Sequence, residues 1–375
     1  MSKSIAIVIN TSWNIYNFRL GLLRALQKDG YKIIAIAPKD VYSEKLETLG
    51  FEYHEIKMNN KGTNPVEDIK LIWDFYRLYQ KIKPDALLMY TIKPNIYGSM
   101  AAGILGIPVI SNISGLGTVF LSNGFSSKVA RLLYKIALKI PKKVFYQNSY
   151  DRELFVSSGL VDMERTDLLP GSGIDTERFK PIDSVGEEKE DIVRFLFVAR
   201  LLKDKGLLEY VDAARAFIQH DNVECNIMGA FYPGNPTAIS ENEMQVWEDA
   251  GVVHYLGVSD DVPSVMRKHD CIVLPSYREG LSRVLLEAAS LEKPIITTDV
   301  PGCKEVVDDG INGYLCNVKS VSSLIEKMHK VLLLSPRERD EMGKKGRVKV
   351  ISEFDEKFVI EKYKKALLKI FDYQS

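Results

Sequence analysis

The chain has 375 residues, which is long enough for two domains of roughly 150 residues, each with its own hydrophobic core. Hydrophobic residues make up 46% and charged residues 27%, and 50 basic residues balance 50 acidic ones, so no global charge argues for nucleic-acid binding. The four cysteines are scattered without a C-x-x-C pair, which indicates reduced thiols and argues against a disulfide framework and, weakly, against a metal site.

The first half alternates short apolar runs with helical patterns. Its N-terminus, MSKSIAIVINTSW, lacks the apolar core of a signal peptide, so we expect a cytoplasmic protein. Near-continuous apolar strands between amphipathic helices are typical of parallel sheets covered on both faces. The predicted strands are 4–10, 32–38, 51–56, 86–90, 108–112 and 143–147, and the predicted helices are 17–28 and 65–82.

The segment from Pro94 to Ser127 contains no charged residue, which raises the alternative of a membrane span. Six glycines and Pro108 interrupt the ~20 mostly apolar residues that a spanning helix needs. We therefore expect a buried helix near 95–105, a buried strand and then a glycine-rich loop.

The next stretch, 126–143, predicts a basic amphipathic helix. It has six basic residues and no acidic one, while its apolar residues follow helical spacing. Such a helix suits an anionic membrane surface or a lipid diphosphate. An ordinary surface helix with a basic outer face is the alternative. The basic residues are Lys128, Arg131, Lys135, Lys139, Lys142 and Lys143, and the apolar ones are Val129, Leu132, Leu133, Ile136 and Ile140.

The second half repeats the alternation, with predicted helices at 206–219 and 320–334. Two such sets predict an α/β protein with two doubly wound, Rossmann-like domains, 1–180 and 193–354. The polar segment 181–192 is the predicted linker, and the final helix, 355–373, is expected to cross back onto the first domain. The predicted strands of this half are 194–200, 223–229, 252–257, 271–276 and 294–298.

Ligands of doubly wound domains bind beyond the carboxyl ends of the strands, so the residues that follow the strands carry the functional information. The chain has no G-x-G-x-x-G, no P-loop and no G-x-S-x-G motif, which argues against dinucleotide, P-loop and hydrolase chemistry. Instead, Arg200 ends a predicted strand and Lys205 opens the next predicted helix. Two cations at a helix N-terminus suit a diphosphate, with a solvated basic turn as the alternative.

The loop YREGLSR follows the next central strand. Gly280 lets the backbone approach a ligand, and Ser282 is expected to cap the following helix. Glu279 can accept hydrogen bonds from sugar hydroxyls, and Glu287 can accept two from a ribose diol. The alternatives are a helix-dipole role for Glu279 and an i,i+4 pair between Glu287 and Arg283.

These segments together resemble a known family. VARLLKDKG, HYLGVSDDV, LPSYREGLSRVLLEAAS and KPIITTDVPGCKEVVDDGINGYL look like the retaining, family-4 type glycosyltransferases of GT-B fold, in which two Rossmann-like domains face each other across a cleft. YTIKPNIYG and SGLGTVF are similar to a bacterial surface-polysaccharide subgroup that extends lipid-linked glycans.

The resemblance implies a role for each matching residue. Arg200 and Lys205 would hold the donor diphosphate, and Glu287 would hold the ribose. Glu279 and the backbone of Gly280 and Leu281 would hold the transferred sugar and the phosphate, beside Ser282. Gly257 and Val258 would lie along the base, with Gly229 as a further nucleotide-binding position. The family implies front-face attack, in which the departing phosphate helps to deprotonate the acceptor.

The sequence departs from the family pattern in the first half. The first loop, TSWNIY, has no glycine, and the usual histidine after the fourth strand is absent, because the five histidines are His54, His220, His254, His269 and His329. Lys93, in Tyr90-Thr91-Ile92-Lys93, could supply that polar contact, and a helix-entry lysine before Pro94 is its alternative.

The expected function is transfer of a sugar, best guessed as an N-acetylhexosamine from a UDP-sugar, onto a polyprenyl-diphosphate-linked glycan. No cofactor and no metal are expected, because no Asp-x-Asp occurs and the cations can neutralise the diphosphate. The expected location is the inner face of the plasma membrane, bound peripherally through 126–143. A nucleotide-sugar epimerase of the same fold and a non-catalytic nucleotide-binding partner of a glycan-assembly complex are the alternatives.

Overall fold

The computed structural model describes residues 2–59, 64–115, 125–182 and 192–372, without the side chains of residues 125 and 126. The chain divides into two compact units. The first consists of Met1–Gly173 together with Glu356–Ser375, and the second is Ile174–Asp355.

The boundary between the units lies before the predicted one at residue 180. The backbone N–H of Ile174 donates to the carbonyl of Phe354 at 3.0 Å, and the Arg347 guanidinium donates to the carbonyls of Thr176 and Phe179 at 3.2 Å each. These bonds hold the segment after Gly173 within the second unit. The predicted linker, 181–192, lies mostly outside the described residues.

The first unit contains a sheet of seven parallel strands. The strands are β1 (Ser4–Val8), β2 (Lys32–Ala37), β3 (Glu52–Glu55), β4 (Ala86–Tyr90), β5 (Val109–Ile113), β6 (Lys143–Tyr146) and β7 (Thr166–Leu168). Their order is β3-β2-β1-β4-β5-β6-β7, with the reversal between β1 and β4. The short β7 was not predicted, because three residues that include Thr166 and Asp167 make no apolar run.

Among the described residues of the first unit, seven helices precede the crossing into the second unit. They are α1 (Ser12–Phe18), α2 (Leu20–Lys28), α3 (Ser43–Thr48), α4 (Pro65–Ile82), α5 (Ser99–Leu105), α6 (Phe125–Ala137) and α7 (Ser149–Ser157). A π-helical turn, Pro94–Gly98, leads directly into α5, and a 3-10 turn, Met163–Arg165, precedes β7. The helix predicted over 17–28 is thus two helices that meet at Arg19.

Alternate residues of each strand pack into two different cores. Ile5 and Ile7 of β1 pack with α1, α2 and α3, whereas Ala6 and Val8 pack with α4, α5, α6 and α7. Because strand side chains alternate between the two faces, apolar residues at every position cover the sheet on both sides. The first unit is therefore doubly wound.

Helix α4 begins and ends where its sequence dictates. The Asn64 side chain accepts a hydrogen bond from the Val66 N–H at 3.0 Å, and Pro65 occupies the first turn, where no N–H is needed. The negative charges of Glu67 and Asp68 in that turn interact favourably with the helix dipole. The helix ends at Lys83, which adopts a left-handed conformation with φ +47°.

The second unit has a six-stranded parallel sheet. Its strands are β8 (Val193–Val198), β9 (Val223–Met228), β10 (His254–Tyr255), β11 (Cys271–Leu274), β12 (Ile295–Thr298) and β13 (Gly313–Cys316), in the order β10-β9-β8-β11-β12-β13. Its helices are α8 (Leu207–Ala214), α9 (Glu241–Asp249), α10 (Val262–Arg267), α11 (Arg283–Ser290), α12 (Val321–Leu333) and α13 (Pro336–Glu353). The 3-10 turns Lys203–Lys205 and Arg215–Phe217 flank α8. Strand β13 was not predicted, since GYLC is short and follows turn residues.

The last helix, α14 (Glu356–Asp372), belongs to the first unit. Val359, Tyr363 and Leu367 pack on the same face of the sheet as α1 and α2. The Tyr363 hydroxyl accepts a hydrogen bond from the Asn112 amide at 3.1 Å, which ties the helix to the buried end of β5. The core of the first unit is therefore completed by the last part of the chain.

The membrane-span alternative for 94–127 finds no support in the described residues. None of the described helices combines the length and the apolar composition that crossing a bilayer requires. The expected helix near 95–105 is present as the π-helical turn and α5, and most of the predicted glycine-rich loop, residues 116–124, lies outside the described residues.

Candidate active site

Strand order in the second unit brings two loops together. The order reverses between β8 and β11, which are paired directly in the sheet. The loop after β8 carries Arg200 and Lys205, and the loop after β11 carries Glu279 and Gly280. Because ligands of doubly wound folds bind at this reversal, the predicted cations and carboxylates lie where such a site is expected.

Lys205 and Glu279 form an ion pair between these two loops. Both side chains are less than one-fifth exposed, at 17% and 15%. The prediction that Lys205 opens a helix is wrong. It ends the 3-10 turn, and Gly206 in a left-handed conformation precedes α8. The chain turns at Gly206 before α8 begins, and a glycine adopts this left-handed conformation without a steric penalty.

Gly206 also fixes the separation of the two loops. A Cβ atom built on it would lie 2.1 Å from the carbonyl oxygen of Pro275 at the end of β11. Next to it, the Tyr277 N–H donates to the carbonyl of Asp204 at 2.9 Å. The close approach and this hydrogen bond hold the loop after β8 against the loop after β11.

The loop after β11 is braced from its other side by the segment after β12. The Glu279 N–H donates to the Pro301 carbonyl at 3.1 Å, and the Ser282 N–H donates to the Gly302 carbonyl at 2.8 Å. Leu281 is buried between Gly280 and Ser282. The loop is therefore held on both flanks before any ligand binds.

The capping role predicted for Ser282 is wrong. Ser282 occupies the N-cap position of α11, but its side chain accepts no hydrogen bond from the described first turn. The N–H groups of that turn lack the acceptor that a serine cap supplies. The serine is instead 4% exposed and held through its own N–H by Gly302.

Arg200 differs from Lys205 in being exposed. Its guanidinium lies 5.0 Å from the centre of the Tyr232 ring, a distance that suits a cation–π contact. Within the described parts of the chain it forms no ion pair. Arg200 therefore carries a charge at this edge of the sheet that no described carboxylate neutralises.

Glu287 is almost buried on α11, and it is paired. Its Oε1 accepts a hydrogen bond from the Nε of Arg283 at 2.9 Å, the i,i+4 pair that the sequence left as an alternative. Burial raises the pKa of Glu287 above its usual value, while Arg283 and Arg178 act to lower it. Within the described structure its Oε2 accepts no hydrogen bond.

Two further loops lie at the same edge, one after β9 and one after β10. The Gly229 N–H donates to the Gly257 carbonyl at 2.9 Å, and a Cβ atom on Gly229 would lie 1.7 Å from the carbonyl oxygen of Ala199. Gly257 adopts φ +73°, and Val258 beyond it is 68% exposed. Gly229 therefore packs directly against the end of β8, and Val258 offers an uncovered apolar surface beside it.

Lys93 lies in the first unit, after the end of β4. Its Nζ pairs with Asp68 Oδ1 at 2.8 Å, and the other Asp68 oxygen accepts a hydrogen bond from the Tyr97 hydroxyl at 2.7 Å. Burial and the neighbouring Asp68 raise the pKa of Tyr97. Lys93 does stand at the entry of the helical turn before Pro94, as its alternative held, and the pair with Asp68 also makes it an oriented, largely buried cation.

Lys93 lines a pocket of about 690 Å³ in the first unit. The pocket lies between the residues that follow β3 and the inner flank of α4. Its lining contains three acidic and three basic side chains, so the pocket does not present one sign of charge to a ligand. The other charged residues of the lining are Glu55, Lys57, Glu67, Lys70 and Asp74.

The backbone next to Lys93 is strained. Thr91 has φ +64°, a region that β-branched residues rarely adopt. Its carbonyl accepts a hydrogen bond from the Asn95 N–H at 3.1 Å. Such strain persists only where the surroundings impose it, and it occurs often at functional sites. It falls where the resembling family places its histidine.

Two family models match the chain, one in each half. The glycosyl transferase 4-like model matches residues 4–148, and the glycosyl transferases group 1 model matches residues 179–349. The chain is a glycosyltransferase. Together with the two parallel sheets, these matches confirm the family to which the sequence was assigned.

Relatives of this glycosyltransferase match it over most of its length. It is 26% identical to N,N'-diacetylbacillosaminyl-diphospho-undecaprenol alpha-1,3-N-acetylgalactosaminyltransferase of Campylobacter jejuni, covering 98% of both chains. It is 25% identical to UDP-Gal:alpha-D-GlcNAc-diphosphoundecaprenol alpha-1,3-galactosyltransferase of Escherichia coli, covering 77% of this chain and 76% of that one. The structure of a glycosyltransferase from Rickettsia africae superposes with a TM-score of 0.79 at 17% identity, over 99% of both chains. The glycosyltransferase therefore has the GT-B fold.

Sequence reasoning missed Arg19 of this glycosyltransferase. Arg19 is 6% exposed, its guanidinium lies 4.5 Å from the centre of the Tyr90 ring, and its Nε has no hydrogen-bond partner in the described structure. It therefore contacts the last residue of β4, directly before the strained Thr91. The sequence offered no signal for this contact, because Arg19 falls inside the single helix predicted over 17–28.

The predicted basic helix of the glycosyltransferase is shorter than expected. Helix α6 ends at Ala137, and Lys143 belongs to β6, where its Nζ donates to the Thr166 carbonyl at 2.9 Å. The core-facing side of α6 carries Tyr134 and Ala137. The outward side of α6 and of the turn that follows it carries three exposed apolar residues beside three exposed lysines, which we call the α6 face. The α6 face consists of Val129, Leu132, Ile136, Lys128, Lys135 and Lys139.

The close approach of the two loops in the glycosyltransferase is testable with a pair of glycine substitutions. Gly206→Ala should lower the free energy of unfolding by about 1–3 kcal/mol more than Gly251→Ala, because only the first drives a Cβ atom into Pro275. Gly251 is the matched control, since its φ of +65° imposes similar backbone strain with no atom within 4 Å. Urea unfolding of both variants measures the difference, and equal losses would show that the loops are not held this way.

Proposed function

We propose that the enzyme transfers an N-acetylhexosamine from a UDP-sugar onto a polyprenyl-diphosphate-linked glycan, with retention of anomeric configuration. The match over 98% of the chain to a transferase named for a diphospho-undecaprenol acceptor carries the proposal. The second relative, named for UDP-Gal, supports the choice of nucleotide. Both names specify an alpha linkage, which is also the configuration of common UDP-hexoses, and this supports retention.

Donor binding in this proposal rests on the loops at the β8–β11 reversal. Arg200 is exposed and unpaired within the described structure, so it can donate to a diphosphate without first breaking an ion pair. An ammonium has three donors, and Glu279 occupies one of those of Lys205, which leaves two for phosphate oxygens. The ion pair thus orients Lys205 rather than cancelling its use.

The same pair prepares Glu279 for the transferred sugar. One carboxylate oxygen accepts from Lys205, and the second remains available to sugar hydroxyls. Glu287 has an equivalent division, with Oε1 held by Arg283 and Oε2 left for a ribose hydroxyl. The backbone of Gly280 and Leu281 lies between these carboxylates along the chain, so we assign it to the sugar and phosphate, whereas the Ser282 N–H is already bonded to Gly302.

In the proposed reaction, a hydroxyl oxygen of the acceptor glycan forms a bond to the anomeric carbon of the donor sugar. The bond between that carbon and the diphosphate oxygen breaks, and the electron pair leaves with UDP. The acceptor proton passes to a phosphate oxygen of UDP on the same face of the sugar. Stabilising the departing charge is therefore the main task of the protein, and Arg200 and Lys205 perform it.

We propose that this reaction needs no divalent metal. Arg200 and Lys205 supply positive charge to the diphosphate, together with the backbone of Gly280 and Leu281. The described residues contain no group of three or more His, Cys, Asp or Glu side chains that could hold a metal ion.

The base of the nucleotide would lie along the loop after β10. Val258 offers an apolar surface for one face of the base, and the left-handed Gly257 directs the chain there. Gly229 keeps this loop close to the end of β8.

We place the acceptor glycan in the pocket of the first unit. Lys93, oriented by Asp68, would supply a polar contact to the acceptor glycan. The mixture of cations and carboxylates in the lining can donate to and accept from the hydroxyl groups of a glycan. A polyprenyl tail would keep the enzyme at the inner face of the plasma membrane.

We further propose that the α6 face binds anionic lipid. Leu132 and Ile136 lie about 200° around the helix from the buried Tyr134, so they point away from the core. Exposed apolar residues flanked by lysines are typical of helices that lie in a membrane interface. The proposed bilayer contact therefore combines apolar insertion with charge attraction.

The diphosphate role predicts a large loss of transfer without loss of fold. Arg200→Ala and Lys205→Ala should each lower turnover at least about tenfold, because a charge-assisted contact contributes roughly 1.5–3 kcal/mol. Lys203→Ala is the control, because it removes the same charge from the same turn. The Lys203 charge helps to lower the pKa of Glu243 instead, so turnover should stay near wild type. The assay follows labelled sugar from UDP-sugar to lipid-diphosphate acceptor in EDTA. Dependence on added metal, or normal turnover in both variants, would contradict the proposal.

The two glutamates should give opposite patterns. Glu287→Gln should weaken UDP binding about tenfold, because an amide accepts hydrogen bonds at one end only. Glu279→Gln should leave UDP binding within about twofold and depress transfer, because its partner is the sugar. Glu326→Gln is the control, since its pair with Lys330 has the same i,i+4 spacing and 2.9 Å distance but lies on the exposed side of α12. Calorimetry with UDP, repeated with GDP, measures nucleotide binding by each variant, and transfer assays measure its turnover. Wild-type-like nucleotide binding by Glu287→Gln would leave it a purely structural partner of Arg283.

The α6 face predicts salt-sensitive vesicle binding. Replacing Lys128, Lys135 and Lys139 by Gln should lower sedimentation with anionic vesicles, since each basic residue near the surface contributes about 1 kcal/mol. A control triple, Lys28, Lys365 and Lys369 to Gln, removes the same charge from exposed positions on the opposite face of the sheet. Equal binding by both triples would show that α6 does not carry the contact.

A further inference from the structure

Helix α4 of the first unit has an exposed apolar stripe that the proposed function does not use. Val66 is 74% exposed, Ile69 is 69% exposed and Trp73 is 52% exposed. Leu71, two residues before Trp73, lies in the core, so the tryptophan points about 200° around the helix from it. The stripe therefore faces directly away from the sheet.

All three acidic residues of α4 turn away from this stripe. Glu67 and Asp74 line the pocket, and Asp68 pairs with Lys93. The stripe itself ends at Arg77, whose guanidinium lies 5.0 Å from the centre of the Trp73 ring. The outward side of α4 is thus apolar and cationic, which complements an anionic lipid surface.

The stripe continues onto the neighbouring helices of the same layer. Helices α4, α5 and α6 pack into one core on one face of the sheet. On α5, Ile104 is 68% exposed, and a Cβ atom on the adjacent Gly103 would meet Ile140, just beyond α6. The outward sides of three adjacent helices therefore all carry exposed apolar residues.

We propose that α4 and α5, together with the α6 face, form one surface that docks on an anionic bilayer, with Trp73 inserted at the interface. The inference rests on the proposed membrane contact of α6 and extends it. Tryptophan prefers the level of the lipid headgroups, and Arg77 beside it can meet their phosphates. The pocket lies on the inner flank of α4, so a bound acceptor would have its glycan in the pocket and its polyprenyl chain beside the inserted helix.

The chain contains three tryptophans, Trp13, Trp73 and Trp247, and this makes the insertion measurable. In the full chain, the Trp13→Phe, Trp247→Phe double variant keeps Trp73 as the sole emitter. The Trp73→Phe, Trp247→Phe variant keeps Trp13, which is 43% exposed on α1, on the opposite face of the sheet, and is the matched control. Each is mixed with vesicles of phosphatidylglycerol and phosphatidylcholine that carry brominated acyl chains.

Trp73 emission should shift to shorter wavelength and be quenched by the brominated chains, while Trp13 emission stays unchanged. Trp73→Ser in the otherwise native chain should lower the vesicle partition coefficient about tenfold, with Trp13→Ser near wild type. This second measurement avoids any effect of replacing the buried Trp247. Vesicle binding that depends on the α6 lysines without quenching of Trp73 overturns the inference and leaves the proposed α6 contact standing. A Trp73 shift that grows with protein concentration in the absence of lipid would show that a second copy covers the stripe, and overturns it too.

Discussion

The candidate donor site depends on one pairing, that of β8 with β11 in the sheet of the second unit. Because β8 and β11 are neighbours in the sheet, the loops that follow them lie side by side. From there the chain continues into a different connection after each strand. Gly206 allows the loops to approach, and the segment after β12 braces the far side. Without that adjacency, Lys205 and Glu279 would be 74 residues apart with no reason to meet.

Charge at this edge is arranged by pairs rather than by isolated groups. Lys205 is held by Glu279 and Glu287 by Arg283, and each pair leaves part of its donors or acceptors unused. Holding a charged side chain before the ligand arrives reduces the conformational entropy lost on binding. Arg200 is the exception, because it stacks on Tyr232 and stays exposed. It is the cation best able to move onto an incoming diphosphate.

The sequence predicted the two doubly wound halves, because buried parallel strands give long apolar runs that helices separate. It also predicted α4 with its exact limits, since Asn64, Pro65 and the first-turn acids all specify one start. It missed β7 and β13, which are too short to show periodicity, and it missed the division of 17–28 into two helices. Side-chain partners were harder still. The Glu287–Arg283 pair follows from helical spacing, whereas the Lys205–Glu279 and Lys93–Asp68 pairs join distant segments that only the fold brings together.

The central claim is that a nucleotide diphosphate binds at the carboxyl edge of the second sheet. Hydrogen–deuterium exchange of the wild-type chain, with and without UDP and then GDP, tests it directly. The account predicts slower exchange with one of these nucleotides in peptides that cover 199–207 and 277–287. Exchange that slows only elsewhere, with these two loops unchanged under both nucleotides, would contradict it.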